Sequence, residues 1–275
     1  MRANQRPRFE DLTETTGIPL SEEAADMMYT RYAWGARLAA GKRVLELGCG
    51  AGQGLGMLSG AATFVIGGDY SRPLLAGARR HYRARVPLVQ LSADELPFAN
   101  ASFDVILFFE GSYYVRDMAR GFRDIARVLR PGGSVAFVNA NPDRPDFIVS
   151  PLSVHYHTGD EFTTMLAQLG FRVSVEGAFP VSPQAHGGRN GGRALTRVLS
   201  LARRALGALG LVPKTLRGRA RLKRLVYGKL TEVPAEIREG FASVAPRAPI
   251  GPGQVTGFKV IYVLGHKPAG PSEPA

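Results

Sequence analysis

The feature that most constrains this chain is the stretch VLELGCGAGQG at residues 44–54, where a short apolar run leads into glycines at alternate positions. A buried strand that ends in a glycine-rich turn is typical of a doubly wound sheet, because the missing Cβ atoms let the main chain approach a nucleotide-like ligand. No register of these glycines provides the G-x-G-x-x-G spacing of a dinucleotide site. The turn therefore predicts a nucleotide-like ligand, and its spacing argues against NAD or FAD.

Strand-like and helix-length segments alternate along most of the chain. Strand-like runs occur at 43–47, 63–68, 88–91, 103–109, 134–139, 171–176 and 256–264, and helical segments at 21–40, 52–59, 72–85, 117–129 and 158–169. This alternation predicts βαβ units and a parallel sheet. With 275 residues of which 45% are hydrophobic, we expect one domain with an insertion.

The excess of basic over acidic residues comes from one segment of the chain. The sequence has 35 basic and 23 acidic residues. Residues 186–230 contain twelve basic residues and no acid, which leaves 23 basic against 23 acidic residues elsewhere. Paired glycines at 187–188 and 191–192 mark its start, and a proline-rich stretch follows it at 242–253. We interpret it as a basic insertion before the last strand.

Within the insertion, residues 193–210 have the apolar spacing of an amphipathic helix with arginines on another face. Three interpretations stay open: a lid whose apolar stripe packs on the main domain, a helix on an anionic membrane surface, and an RNA-binding face. Tyr227 is the only aromatic residue of the segment available for base stacking, which argues against nucleic acid.

Cysteine use and hydropathy give an expectation of location. Cys49 is the single cysteine, so no intramolecular disulfide can form. The N-terminal residues lack the apolar segment of a secretion signal, and no window approaches eighteen uninterrupted apolar residues. We expect a cytoplasmic protein, with peripheral contact at the inner membrane surface through 193–229 as the alternative.

Three motifs carry a resemblance to a known family. They are ELGCGAG at 46–52, LPFANASFDVI at 96–106 and RVLRPGGSVAF at 127–137. In residue type, order and spacing the chain resembles the class I S-adenosylmethionine-dependent methyltransferases. The stretch FFEGSYY at 108–114 is similar to a bacterial subgroup linked to sugar and surface-polysaccharide modification.

The resemblance implies an α/β Rossmann-like fold: a seven-stranded doubly wound sheet whose last strand is antiparallel, with a helical basic insertion before that strand. The domain organisation expected from it is an N-terminal helical cap at 1–42, a cofactor-binding domain at 43–185 and 254–266, the insertion or lid at 186–253, and a disordered tail at 267–275.

The resemblance also implies a site for S-adenosylmethionine. The glycine turn and the following helix would meet the methionine end, Tyr32 or Arg31 its carboxylate, and Asp69 the ribose hydroxyls, for which an acid at a strand end is suited. Ser92 stands where the family has an acid that meets the adenine. The expected cofactor residues are Tyr32, Glu46, Gly48, Gly50, Gly52, Asp69, Ala93, Asp94 and Phe109.

The acceptor is expected beside the carboxyl ends of the fourth and fifth strands. Methyl transfer mainly requires alignment of the acceptor and, for a hydroxyl, removal of a proton. Residues of suitable chemistry there are Glu110, Tyr113, Tyr114, His155 and His157. The two histidines are too isolated from Cys49 and other ligands to indicate a metal site.

The predicted function is therefore methyl transfer from S-adenosylmethionine to O or N of a small-molecule or glycan acceptor. One alternative is a methyltransferase acting on a lipid or quinone at the membrane. Another, of a different class, is a catalytically idle regulatory protein that binds the cofactor. The sequence indicates no oligomeric state.

Overall fold

The computed structural model describes residues 8–9, 14–145, 147–181, 230–251 and 255–269. Its centre is a mixed sheet of eight strands in the order β4-β3-β2-β5-β6-β10-β7-β9. These strands are β2 (Arg43–Leu47), β3 (Phe64–Asp69), β4 (Leu88–Gln90), β5 (Phe103–Phe109), β6 (Leu129–Ala140), β7 (Arg172–Pro180), β9 (Arg247–Pro249) and β10 (Phe258–His266). A separate two-stranded sheet joins β1 (Pro19–Leu20) to β8 (Thr231–Glu232).

Helices cover both faces of the large sheet. They are α1 (Glu22–Ala39), α2 (Leu55–Ala61), α3 (Arg72–Tyr82), α4 (Met118–Val128) and α5 (Gly159–Gln168). The first three pack in one apolar core and the last two in a second core on the opposite face. Local signals fix their ends: the Ser21 side chain caps α1, and Thr158 and Glu161 form a capping box at α5.

The chain order of the strands places a ligand crevice. Strand β2 pairs in parallel with β3 on one side and with β5 on the other. The chain therefore runs outward from β2 to β4 and then crosses to β5, which makes the edge beyond β2 and β5 a topological switch point. Ligands of doubly wound sheets bind outside the carboxyl ends of the strands at such a point.

The predicted fold class is confirmed, with one addition. Strand β10 runs antiparallel to both β6 and β7, as expected for the last strand. The eighth strand, β9, pairs antiparallel with β7 and comes from the proline-rich stretch that we expected to bound the insertion. Pro249 is tolerated because an edge strand needs backbone pairing on one side only.

The end of the predicted insertion packs against α1. Val233 and Ile237 are buried in the core beside α1, and the N–H of Ser243 donates to Asp26 over 2.8 Å. Residues 182–229, which contain the predicted basic helix, lie outside the described residues. Of the predicted tail, Lys267 is held by carbonyl oxygens of the α4 end and β6, and 270–275 lie outside the description.

Among the described residues, no helix combines the length and the apolarity that crossing a bilayer requires. Over the same ranges there is no group of three or more His, Cys, Asp or Glu side chains arranged to hold a metal ion.

Candidate cofactor and acceptor site

A cavity of about 590 Å³ lies at the carboxyl ends of β2, β3 and β5. Its size is within the usual range for small-molecule sites. The glycine turn, Asp69, one face of α1, residues 110–111 and residues 113–116 line it. Phe9 and Glu14, from the segment before α1, also line it.

The glycine turn has the backbone that the sequence predicts. Gly48, Gly50 and Gly52 all have positive φ, at +67°, +57° and +85°, a region that side chains with a Cβ rarely adopt. A Cβ at Gly52 would lie 2.9 Å from the ring of Tyr82, whose hydroxyl donates to the Gly52 carbonyl over 2.7 Å. The turn is therefore held rigidly against α3, with its backbone facing the cavity.

Asp69, at the end of β3, is tied to this turn. Its Oδ2 accepts from the N–H of Gly50 and its Oδ1 from the N–H of Ser71, each over 2.7 Å. Asp69 is buried but lines the cavity. A carboxylate has about four acceptor positions, so an acid at this strand end is chemically suited to the hydroxyls of a ribose.

Glu46 lies behind Tyr32, which lines the cavity. The Tyr32 hydroxyl donates to Oε1 of Glu46 over 2.8 Å, whereas Oε2 is buried without a hydrogen-bond partner among the described residues. Burial raises the pKa of Glu46 to about 7, although the Tyr32 hydrogen bond and the charge of Arg31 oppose the rise. The carboxyl is thus placed to become charged when a cation binds next to it.

Buried donors complement this acceptor. Arg31 pairs with Glu14 but its Nε is unpartnered within the described ranges, as is Nε2 of Gln53, and both residues line the cavity. Burial opposes the charge of Arg31, yet the nearby carboxylates of Glu14 and Glu110 keep its pKa raised and the side chain cationic. Unsatisfied buried groups of both kinds fit a ligand that carries an ammonium and a carboxylate, such as the methionine part of S-adenosylmethionine.

The other predicted cofactor residues lie around the same space. Ser92, Ala93 and Asp94 line the cavity beyond β4. Phe109 also lines it, and its ring contacts Tyr32 and Trp34 of α1. Of the residues predicted to bind the cofactor, all but Glu46 and Gly52 line this cavity. Glu46 instead bonds to Tyr32 and Gly52 to Tyr82, and the individual roles stay predictions.

Glu110 stands at the acceptor end with a strained backbone. Its φ is +50°, which is uncommon for a residue other than glycine and is often found at functional sites. The Tyr113 hydroxyl donates to Glu110 Oε2 over 3.0 Å. Burial raises the pKa of Glu110, and the charge of Arg31 opposes this. Burial also raises the pKa of Tyr113, so the phenol stays a donor. Tyr114 lines the cavity beside them.

The two histidines do not reach this cavity. His155 is exposed and bonds to Glu161 over 3.0 Å, while the ring of His157 packs against Phe122 and Phe162 in the core on the other face. Neither lines the cavity. The expectation that they handle the acceptor is therefore not supported, because the chain turns at 150–153 and points both rings away from the crevice.

Sequence reasoning missed the residues that close the cavity from outside the motifs. Phe9, Glu14, Gln53 and Tyr70 all line it. Gln53 and Tyr70 carried local signals, since they directly follow the glycine turn and Asp69. Phe9 and Glu14 depend on long-range packing of the N-terminal segment, for which the sequence has no periodic pattern.

Comparisons with known proteins identify the family of this chain. A family model described as a methyltransferase domain matches residues 45–137. The chain is also 36% identical over 186 residues to a probable S-adenosylmethionine-dependent methyltransferase of Mycolicibacterium smegmatis, covering 62% of this chain and 68% of that protein. The chain belongs to the S-adenosylmethionine-dependent methyltransferases. This methyltransferase is thus an enzyme whose cofactor is S-adenosylmethionine.

The methyltransferase is also similar to a second relative and to a solved structure. It is 36% identical over 133 residues to a fatty-acid O-methyltransferase of Mycolicibacterium smegmatis, covering 46% of this chain and 48% of the relative. The solved structure of the YcgJ protein from Bacillus subtilis shares its fold, with a TM-score of 0.55 at 19% identity, over 88% of this chain and all of that one. The methyltransferase therefore spans about half of the first of these relatives, and the second likeness shows the fold alone.

Proposed function

We propose that this methyltransferase transfers the methyl group to an oxygen of a small-molecule acceptor, with Glu110 and Tyr113 at the acceptor end of the cavity. The observation that supports this is the pair itself: a carboxylate in a crevice, hydrogen-bonded by a buried phenol. A relative whose name is fatty-acid O-methyltransferase also favours oxygen over nitrogen. A glycan stays within this proposal as a hydroxyl-bearing acceptor.

The residues present fit the cofactor, which supplies an electrophilic methyl group on a sulfonium. Asp69 would hold the ribose hydroxyls, the free Oε2 of Glu46 the ammonium, and Arg31 with Gln53 the carboxylate. Glu14 now pairs with Arg31, so it would share or yield that guanidinium to the cofactor. These contacts fix one reactant so that the displacement proceeds in line.

Glu110 would remove the acceptor's proton. The cofactor would supply the methyl group to the acceptor oxygen and leave as S-adenosylhomocysteine, and the hydroxyl proton would pass to the Glu110 carboxylate. Because burial raises the pKa of Glu110, its carboxylate is a stronger base than an exposed one. Tyr113 orients the carboxylate through its hydrogen bond.

The test separates base catalysis from cofactor binding. Methyl transfer from S-adenosylmethionine is followed against a panel of alcohols, phenols, carboxylic acids and glycans, with wild type, Glu110→Gln and the exposed control Glu239→Gln. Removal of a general base lowers turnover about 10²- to 10⁴-fold, and we expect Glu110→Gln to do so without changing cofactor affinity. An equal loss of cofactor binding would make Glu110 part of the cofactor wall instead.

A further inference from the structure

The loop after β6 exposes an unusual number of aliphatic side chains. Seven large hydrophobic residues of the described chain are exposed, and four of them fall within residues 148–154. They are Ile148 at 60%, Val149 at 63%, Leu152 at 42% and Val154 at 55%. Single exposed hydrophobic residues are ordinary, but a contiguous apolar group marks a binding surface. We call residues 147–154 the aliphatic loop.

The aliphatic loop is held in one conformation by a tight turn. Ser153 donates to the Ser150 carbonyl from both its N–H, over 3.3 Å, and its hydroxyl, over 2.6 Å. Leu152, inside this turn, has a φ of +70°, which costs energy for a residue with a branched side chain. The backbone strain places the leucine side chain outward where it is 42% exposed. The apolar surface is thus built into the fold.

The aliphatic loop continues the wall of the cavity. The ring of Tyr113 stacks on Tyr156 at 4.2 Å between centroids and 19° between planes, and Phe147 meets the edge of Tyr156 at 4.6 Å. The N–H of Val154 donates to the Tyr113 carbonyl over 2.8 Å. An aromatic surface therefore leads from the Glu110–Tyr113 pair, through Tyr156, to the exposed aliphatic side chains.

The charges and side chains near the aliphatic loop indicate which kind of ligand it can bind. Burial, and then the charges of Asp160 and Glu161, raise the pKa of Asp143, so three carboxylates lie close together at the base of the loop. Arg144 lies here as well, over the Phe147 ring at 5.9 Å, so charges of both signs flank the loop and it lacks the uniformly basic surface that an anionic bilayer attracts. A glycan would find few hydrogen-bonding groups on four aliphatic side chains. A single uncharged hydrocarbon chain meets neither difficulty.

We propose that the aliphatic loop binds the hydrocarbon chain of the methyl acceptor, whose reactive oxygen lies at Glu110. This proposal rests on the proposed function, which puts the reactive oxygen at Glu110. It adds the substrate class, which is a molecule with an alkyl or acyl chain of several carbons. Apolar contact with the loop would set specificity by chain length, because each methylene removed from water adds to affinity.

The experiment measures binding of straight-chain primary alcohols from hexanol to dodecanol, below their solubility limits, to protein saturated with S-adenosylhomocysteine. In wild type we expect the dissociation constant to fall about two- to fourfold per methylene. The triple variant Ile148→Ser, Val149→Ser, Val154→Ser should flatten this dependence, since its changes are all at exposed positions. Val244→Ser, a similarly exposed valine at 48%, should keep it.

Three outcomes would overturn the inference. In the first, the dissociation constant of wild type does not depend on chain length, and in the second, the triple variant shows the same dependence as wild type. In the third, wild type binds phosphatidylglycerol vesicles but not the monomeric chains, and the triple variant does not bind the vesicles. The last result would identify a membrane contact instead. Because this readout is binding, a failed Glu110→Gln prediction would leave it unaffected, so the two proposals fail separately. Leu152→Gly keeps the positive φ and removes the side chain. Because it also removes an aliphatic contact of the loop, it should flatten the dependence on chain length as well.

Discussion

The hydroxyl of Tyr32, which lines the cavity, donates a hydrogen bond over 2.8 Å to Oε1 of Glu46, which is buried behind it. The second carboxylate oxygen has no partner among the described residues. Burial raises the pKa of this carboxyl to about 7. Binding of an ammonium group beside Glu46 is therefore expected to shift its carboxyl from the protonated to the charged form.

Cofactor affinity should depend on pH through Glu46. Binding of the ammonium requires the carboxylate, whose pKa is about 7, so below that pH a proton must be released on binding. The affinity for S-adenosylmethionine should then fall up to about tenfold per pH unit. Calorimetric titrations from pH 5.5 to 8.5 measure this, with Glu46→Gln as the variant that should bind weakly and without the slope. An identical slope in both proteins would assign the titration to another group.

The same group makes the cofactor-free protein less stable as pH rises. The folded pKa of about 7 lies above the unfolded value of about 4.3, so folding favours the protonated form, and this contribution is lost between those two values. Near pH 8, Glu46→Gln should be more stable than wild type by on the order of 2 kcal/mol, and near pH 4 the two should be equal. Urea unfolding at both pH values tests this; a difference that does not change with pH would contradict it.

Tyr32→Phe should raise the pH at which cofactor affinity is lost. The substitution keeps the ring, which contacts Phe109, but removes the hydrogen bond that lowers the pKa of Glu46. We expect a several-fold weaker affinity at pH 7, since one such bond contributes about 1 kcal/mol. Tyr29→Phe is the matched control, because the Tyr29 hydroxyl accepts from Gly240 instead. An unmoved midpoint in Tyr32→Phe would show that the bond does not tune Glu46.

Gly54→Ala should disturb the wall between α1 and the glycine turn. A Cβ there would lie 1.8 Å from the Tyr32 ring, whereas a Cβ at Gly60 of α2 would meet nothing within 4 Å. We expect Gly54→Ala to cost about 1 to 3 kcal/mol, and Gly60→Ala to be neutral or slightly stabilising, since alanine favours helices by about 1 kcal/mol over glycine. Thermal unfolding of both variants gives the comparison. Equal melting temperatures would mean that Tyr32 moves aside without cost.

Much of the cofactor end of the site was readable from the sequence because its signals are local. The predicted strand bounds 43–47 and 103–109 agree with β2 and β5, since buried parallel strands are continuous apolar runs. The glycine turn and Asp69 follow directly from the ends of β2 and β3. Parallel pairing then fixes which side chains meet at the crevice.

The acceptor end was less readable because it depends on contacts between distant segments. The residue after a strand end faces the crevice, but His155 and His157 lie beyond a turn whose strained Leu152 has no sequence signal. Phe9 and Glu14 reach the cavity from a segment without periodicity. Strand β9 and the packing of 230–251 on α1 likewise depend on long-range pairing that a proline-rich composition conceals.

The most direct test of the account is calorimetric titration of the purified protein with S-adenosylmethionine and S-adenosylhomocysteine, beside Asp69→Asn and Asp69→Ala. Asp69 accepts from both Gly50 and Ser71, and hydrogen bonds to a charged group contribute about 1.5 to 3 kcal/mol. We predict saturable binding of one ligand per chain in wild type, weakened at least about tenfold in both variants. A folded wild-type protein that binds neither ligand, or variants that bind as tightly as wild type, would contradict the assignment of this cavity as the S-adenosylmethionine site.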